Sequence, residues 1–454
     1  MTGLRRYLGL VLLLVPFSAR AQEEGCDILP IARNTSAVRQ GDAIYVGGRT
    51  EFRCSRGVTF VSDSAVSALG MRMLIGNVIY TDSVKHIISE RLDYLESAGT
   101  VSAFGSTVVT DRKTGSVLRS PSGLLYTRES PGKPEMMQVH SGRPHLTLLD
   151  SAKAGQPQDT TNIDADAITI IGQNNFTGRG NVVIRRGELN ATGAQTIFDD
   201  SLGIMRLWGL AHLRGENYNV RGDSIYSEIE GDQFRNVQVF RNASIVSEDL
   251  DVKGIRLNIS FDSGAVNRLI AVGQKGDSTQ TGLSQATAVT PEFTLTADSI
   301  DALAPKQKLE LVTAVGNALG VREPDSLDLT LPEAIRNDWL RGDTVIAYFA
   351  EAPDSIKAQR AKSDSANDRV LERLIAIGRT GKPATATYRM RAEGDTTVNN
   401  FEVGYITAQR ITAVFKDGAV HDLDAQGNIQ GLYLQPIRRE ATARGQPTSG
   451  SRQR

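Results

Sequence analysis

A 22-residue stretch of this chain recurs without a gap later in the same chain. Val252 to Gly273 reads VKGIRLNISFDSGAVNRLIAVG, and Ile406 to Gly427 reads ITAQRITAVFKDGAVHDLDAQG. Phe, Gly-Ala-Val, Leu, Ala and Gly return at matching places. A looser copy lies between them, from Ala297 to Gly316. It keeps the 19-position offset of Gly254 to Gly273 and of Ala408 to Gly427. A chain that repeats a unit this short builds its core by stacking neighbours.

The period inside the repeat is two. Leu257, Ile259 and Phe261 alternate with Arg256, Asn258 and Ser260, and Ile411, Ala413 and Phe415 take the same places in the second copy. Alternation predicts strands with one dry and one wet face. Gly, Asn and Asp between the runs are turn formers, and 43 glycines suit many tight turns. Gly76-Asn77-Val78 and Gly180-Asn181-Val182 read as strand openings. So do Ala165-Asp166-Ala167-Ile168, Gly222-Asp223-Ser224-Ile225 and Gly342-Asp343-Thr344-Val345. Helical spacing is confined to Pro353–Ile377 and Pro332–Leu340, read as insertions. Asp150–Asn162, Gln274–Thr290 and Glu351–Asp368 read as loops or linkers.

The first 21 residues have the form of a secretory signal: Arg5 and Arg6, an apolar Leu8–Val15 core, and Ala19-Arg20-Ala21 before Gln22. The apolar run is shorter than the ~20 residues that span a bilayer. Removing it leaves 433 of 454 residues, with 48 basic against 52 acidic ones. That balance argues against a general nucleic-acid binder. The only cysteines, Cys26 and Cys54, pair naturally in an oxidising compartment. Such a bond stabilises by about 3 kcal/mol. Glu23-Glu24-Gly25 is a poor lipobox, which argues against acylation of Cys26. Arg438 to Arg454 reads as a disordered basic tail.

Nothing in the chain has the pattern of a catalytic or metal centre. The five histidines, at 86, 140, 145, 212 and 421, are scattered and without acidic or Cys partners at ligand spacing. Gly222-Asp223-Ser224 lacks the strand-to-helix context of a nucleophilic serine. The Asp that recurs at 166, 298 and 343 reads as structural. No phosphate-binding glycine loop or CxxC is present. The sequence therefore reads as a non-enzyme with no cofactor and no metal. A carbohydrate-active β-repeat enzyme would need a paired set of carboxylates that the sequence does not show.

The ordered series of short motifs resembles the organic-solvent-tolerance (OstA-like) family, which includes periplasmic lipopolysaccharide-transport proteins of the LptA and LptC type. Its pieces are Ala165–Ile168, Gly180–Ile184, Ala191–Ala194, Gly222–Tyr226, and Tyr405–Ile411 through Gly431–Pro436. The resemblance implies an all-β fold of antiparallel, V-shaped, half-open β-jellyrolls in tandem. It also implies that lipopolysaccharide acyl chains ride in an apolar cleft, and that subunits join through sheet edges. The expected organisation is a signal at 1–21, N-terminal strand repeats at 22–150 and a central segment at 163–273. A linker at 274–290, a C-terminal segment at 291–437 with a charged insertion at 351–368, and a tail at 438–454 follow. The expected function is a periplasmic lipopolysaccharide carrier bridging transfer to the outer membrane, with other lipopolysaccharide-transport proteins or further copies of itself as expected partners. The alternative is an assembly scaffold of an outer-membrane complex that carries no lipid. Leu257, Ile259, Phe261, Ile411 and Phe415 are the candidate groove residues, with plain core as the competing reading. The terminal Tyr405–Pro436 region is the candidate edge, with Thr412 and Val414 on it.

Overall fold

The computed structural model describes residues 26–33, 35–54, 57–149, 160–199, 201–230, 233–247, 250–273, 285–290, 293–322, 336–354, 357, 369–391, 401–416 and 419–434. The leader at 1–21 and the tail at 438–454 lie outside them. The described chain is all-β and its strand pairings are antiparallel, as the alternation requires. It divides into two compact units between Leu125 and Tyr126, so the boundary expected at 150 falls inside the second.

Unit 1 holds β1 (Cys26–Pro30), β2 (Ser36–Gln40), β3 (Ala43–Cys54), β4 (Val58–Ala68), β5 (Met71–Thr81) and β6 (Lys85–Leu95). These are followed by β7 (Thr100–Phe104), β8 (Thr107–Asp111) and β9 (Val117–Ser120). Cys26 and Cys54 face each other as cross-strand partners of β1 and β3 and are bonded. The core packs Phe60 against Tyr80 and Tyr94, with ring centroids 5.3 and 5.0 Å apart. A buried Lys85–Asp111 ion pair of 2.6 Å joins β6 to the end of β8.

The strand β10 (Leu124–Thr127) crosses the division. Unit 2 continues with β11 (Met136–Val139), β12 (His145–Leu149), β13 (Thr160–Asp164), β14 (Ala167–Ile171), β15 (Asn175–Arg186) and β16 (Leu189–Asp199). Then come β17 (Ile204–Arg214), β18 (Tyr218–Glu230), β19 (Gln233–Ser247), β20 (Asp251–Asp262), β21 (Ala265–Val272) and β22 (Ala286–Val289). Next are β23 (Thr294–Ala297), β24 (Ser299–Leu303), β25 (Leu311–Arg322), β26 (Asp338–Glu351) and β27 (Arg369–Ile377). The series ends with β28 (Ala384–Arg391), β29 (Phe401–Ala408), β30 (Arg410–Lys416), β31 (Ala419–Gln426) and β32 (Gln430–Leu434).

The long strands bend in the middle. Gly76-Asn77 and Gly180-Asn181 do not open strands, as their sequence suggests, and Gly316-Asn317 behaves as they do. They sit inside β5, β15 and β25, with both residues left-handed: φ 78° and 46°, 74° and 45°, 84° and 48°. Each pair faces one residue of a neighbouring strand, a two-against-one bulge. The Asn side chain then donates to an aspartate next door: Asn77 to Asp63 at 2.7 Å and Asn181 to Asp166 at 2.8 Å. Asn317 reaches Asp298 at 3.5 Å. Two of the recurring Asp residues of the sequence, Asp166 and Asp298, are thus the acceptors of kinks, while Asp343 pairs with Arg379 at 3.3 Å. In β19 the pair is Arg241-Asn242, and Asn242 donates to Asp223 at 3.0 Å.

Register confirms the repeat. In β20 and β21, Leu257 pairs with Ala271, Ile259 with Leu269 and Phe261 with Val266. In β30 and β31 the matching residues pair in the same way: Ile411 with Ala425, Ala413 with Leu423, Phe415 with Val420. Even the bulge recurs, before Phe261 and before Phe415. The looser copy keeps the pairing but not the bulge, with Ile300 on Ala314 and Ala302 on Val312 in an unbroken register.

The kinks turn each long strand of unit 2 into two halves that belong to different layers. Beyond β20 the layers separate. The C-terminal half of β20 pairs with β21, then β24, while its N-terminal half pairs with β22, then β23. Both routes rejoin on β25. The sheet forks again after β26, into β27–β30–β31 and β28–β29–β32. The layers face each other. Tyr218 of one lies 5.2 Å from Phe261 of the other, and Phe293 stacks on Phe349 at 5.8 Å.

Three expectations fail for identifiable reasons. Arg369–Ile377 is strand β27, not helix, because Leu371, Leu374 and Ala376 are needed in the dry face opposite β26. A single turn, closed by the Lys357 N–H on the Pro353 carbonyl, is the helical remnant there. Ala286–Val289, read as linker, is β22, because the forked layer needs a partner for Asp251–Lys253. Thr412 and Val414 are not on an edge: β30 is paired on both sides, by β27 and β31.

Left-handed geometry costs a β-carbon about 1–2 kcal/mol. A Cβ at Gly316 would also lie 2.4 Å from Asp298, whereas one at Gly132 (φ 77°) meets nothing within 4 Å. Gly316→Ala is therefore expected to lower unfolding stability by more than about 2 kcal/mol and Gly132→Ala by about 1. Urea unfolding of the two variants measures the difference.

Candidate functional site

The core is dry where the two layers are continuous. Leu257 and Ile259 are 0% exposed, held between Val239 and Val237 of β19 and Ala271 and Leu269 of β21. Phe261 caps this region at the strand end, half-buried against Tyr218 and Phe234. Burial there pushes the Tyr218 phenol up to about 12. The first set of candidate groove residues is therefore closed core, with Phe261 at its rim.

The second set lies where the sheet has forked for the last time. Ile411 is 0% exposed, but Ala413 and Phe415 line a narrow apolar cleft between the layers. Gly320, Leu340 and Ala386 face it from one layer, and Leu374, Val420 and Leu423 from the other. Periodicity places each of these on a dry face. It does not show that the layers part here, because the parting depends on which strand each half pairs with. Of the facing residues, Leu423 opens the Leu-x-Ala-x-Gly close of the repeat, and Leu374 opens an echo of it, Leu374-Ile375-Ala376-Ile377-Gly378, which is the signal that could have found them.

The cleft ends at the sheet margins. Among the described residues, β31 pairs only with β30 and β32 only with β29. All of β32 is exposed, including Leu432, Tyr433 and Leu434. A second, small apolar pocket opens between the layers upstream, lined by Ile245, Leu250, Val266, Leu269 and Leu309. Asn217 donates to Gln307 at 3.3 Å at its rim.

The histidines are not centres. His145 does gain an acid, Asp164, through the β12–β13 register: Nδ1 lies 2.8 Å from the carboxylate. Arg185 donates to the same carboxylate at 2.9 Å, and Thr147 lies 3.2 Å from His145 Nε2. Burial opposes ionisation of Asp164, but the hydrogen bonds and charges of His145 and Arg185 outweigh it and hold the carboxyl below its ordinary range. His86 meets Thr81, and His212 meets Asn219. Among the described residues no three His, Cys, Asp or Glu side chains are gathered as a metal would need.

Comparison with known proteins finds no matching family model, and no curated protein matches the chain.

Closed core and open cleft respond differently to charge. Ile411→Glu leaves an ion without water and is expected to cost more than about 3 kcal/mol. Phe415→Glu can hydrate at the cleft and should cost less than about 2. Thermal or urea unfolding of the two variants, compared with the parent, checks this.

Proposed function

We propose that this protein is a lipid carrier of the periplasm, holding acyl chains of lipopolysaccharide or a related lipid between its two β-layers on the way to the outer membrane. The observation that carries the reading is the apolar cleft around Ala413 and Phe415, set at the end of the sheet where both layers stop. Each methylene buried there gains about 0.8 kcal/mol, so one chain of ordinary length is held without any ion pair or metal. Binding of this kind calls for no catalytic group, and the chain acts as a non-enzyme without cofactor. The resemblance of its ordered motifs to the OstA-like family supports the same reading.

Partners join at the sheet margins. The free sides of β31 and β32 carry unpaired backbone donors and acceptors, which another strand satisfies. Other lipopolysaccharide-transport proteins or a second copy of this chain are the partners that such an edge fits.

The rival is an assembly scaffold that carries no lipid. It is favoured by the closed core at Leu257 and Ile259, which has no room for an acyl chain. The two readings part at one residue. With a photo-crosslinking amino acid in place of Phe415, the carrier is expected to capture lipopolysaccharide in living cells. The same group at Ile259 should capture none. Mass spectrometry of lipid released from protein purified in mild conditions identifies the cargo. A native protein that never crosslinks lipid at Phe415 and releases none leaves the scaffold reading.

A further inference from the structure

The rule of the kinks has an exception on the outer face of unit 2. Four kinks carry an Asn–Asp hydrogen bond across neighbouring strands. In β17 the left-handed pair is Gly209-Leu210 (φ 75° and 53°), and the residue facing it from β16 is Ala194. Leucine replaces the donor and alanine stands where an acid would. Leu210 is 86% exposed. A Cβ at Gly209 would lie 2.6 Å from that of Ala194, so the floor here is as low as a sheet surface can be.

An open trough of about 420 Å³ occupies the place of the absent bridge. Thr177, Arg179, Gln195, Ile197 and Trp208 surround it. Arg179, Gln195 and Trp208 are consecutive cross-strand partners on β15, β16 and β17. Their side chains therefore stand in one line about 10 Å long. An aromatic plate lies at one end, and amide and guanidinium donors follow it.

Trp208 also differs from the other surface rings. Arg91, Arg206, Arg256, Arg341 and Arg373 lie over Phe104, Tyr226, Phe240, Trp339 and Tyr348, at 4.4 to 5.7 Å from the centroids. Among the described residues no cation lies over Trp208. Its π-face is left for something else.

We propose that this trough binds a pyranose glycan, with one sugar ring stacked on Trp208 and its hydroxyls hydrogen-bonded by Gln195, Arg179 and Thr177. The chemistry selects the class. The axial C–H groups of a pyranose are the electropositive partner that an aromatic face prefers, and its rim of hydroxyls needs donors and acceptors close by. An acyl chain in so open a trough would keep most of its methylenes wet, which removes the reason for binding. The inference stands apart from the acyl cleft: different residues, the opposite face of the sheet, and no shared wall.

Trp208 and Trp339 are the only tryptophans, so Trp339→Phe leaves Trp208 as a single reporter. That variant, as the full exported chain, is titrated with deacylated lipopolysaccharide core oligosaccharide, with maltotriose and with anionic phosphatidylglycerol vesicles. The expected result is a saturable change in Trp208 fluorescence with at least one glycan. Arg179→Ala with Gln195→Ala should weaken it about tenfold. Ala194→Asp with Leu210→Asn rebuilds the Asn–Asp bridge across the floor, and should abolish binding while leaving the far-ultraviolet circular dichroism unchanged. No saturable response to either glycan overturns the proposal. So does a response to vesicles alone, or undiminished glycan binding by the folded bridged variant. The Phe415 crosslink reads a separate site, so either result can fail without the other.

Discussion

Two consecutive left-handed residues in mid-strand are unfavourable, and a flat strand has no use for them. At four of these kinks an asparagine at the second position donates to an aspartate on the adjoining strand, at 2.7 Å between Asn77 and Asp63 and 2.8 Å between Asn181 and Asp166. In three of the four, glycine at the first position removes the steric penalty, and the acid crowds the space a side chain would need. Because the bulges lie in register from β15 to β20, the bends accumulate along one line. One sheet then supplies both layers of its own core, and every inward residue of a strand half finds an apolar partner across the gap.

From that bend the cleft follows. Where β20 and β25 span both layers, the interior is sealed at Leu257 and Ile259. Past β26 no described strand spans both layers, and the space between Leu340 and Ala386 on one side and Leu374 and Leu423 on the other is left open. The same strand repeat therefore makes closed core in one place and the lining of a cleft in another. The difference lies in connectivity, not in residue type: Phe261 and Phe415 hold matching positions with matching partners, and only the second lines a cleft.

Much of this was legible in the residues. The 22-residue repeat predicts the β20–β21 and β30–β31 registers, and the alternation of Leu257, Ile259 and Ile411 predicts their dry face. The disulfide partners could be named because there are only two cysteines. What the sequence hides is non-local. Gly180-Asn181 has the composition of a turn, and only the aspartate 15 residues earlier turns it into a kink. Arg369–Ile377 carries helical spacing, but a vacant place beside β26 makes it a strand. Thr412 and Val414 are near the end of the chain yet inside the sheet, since β27 and β31 pair on either side of them. Trp208 is one aromatic among many until the missing bridge at Ala194 and Leu210 exposes its face.

On the proposed reading the two layers are sealed in the middle of unit 2 and part at its C-terminal end to admit an acyl chain. Amide hydrogen exchange followed by mass spectrometry, with and without lipopolysaccharide, tests it most directly. The account predicts slow exchange in β18–β20 that lipid does not change, and faster exchange in β27, β28, β30 and β31 that lipid slows. Equal protection of all these strands in the free protein, or lipid protection centred on β18–β20, would contradict it.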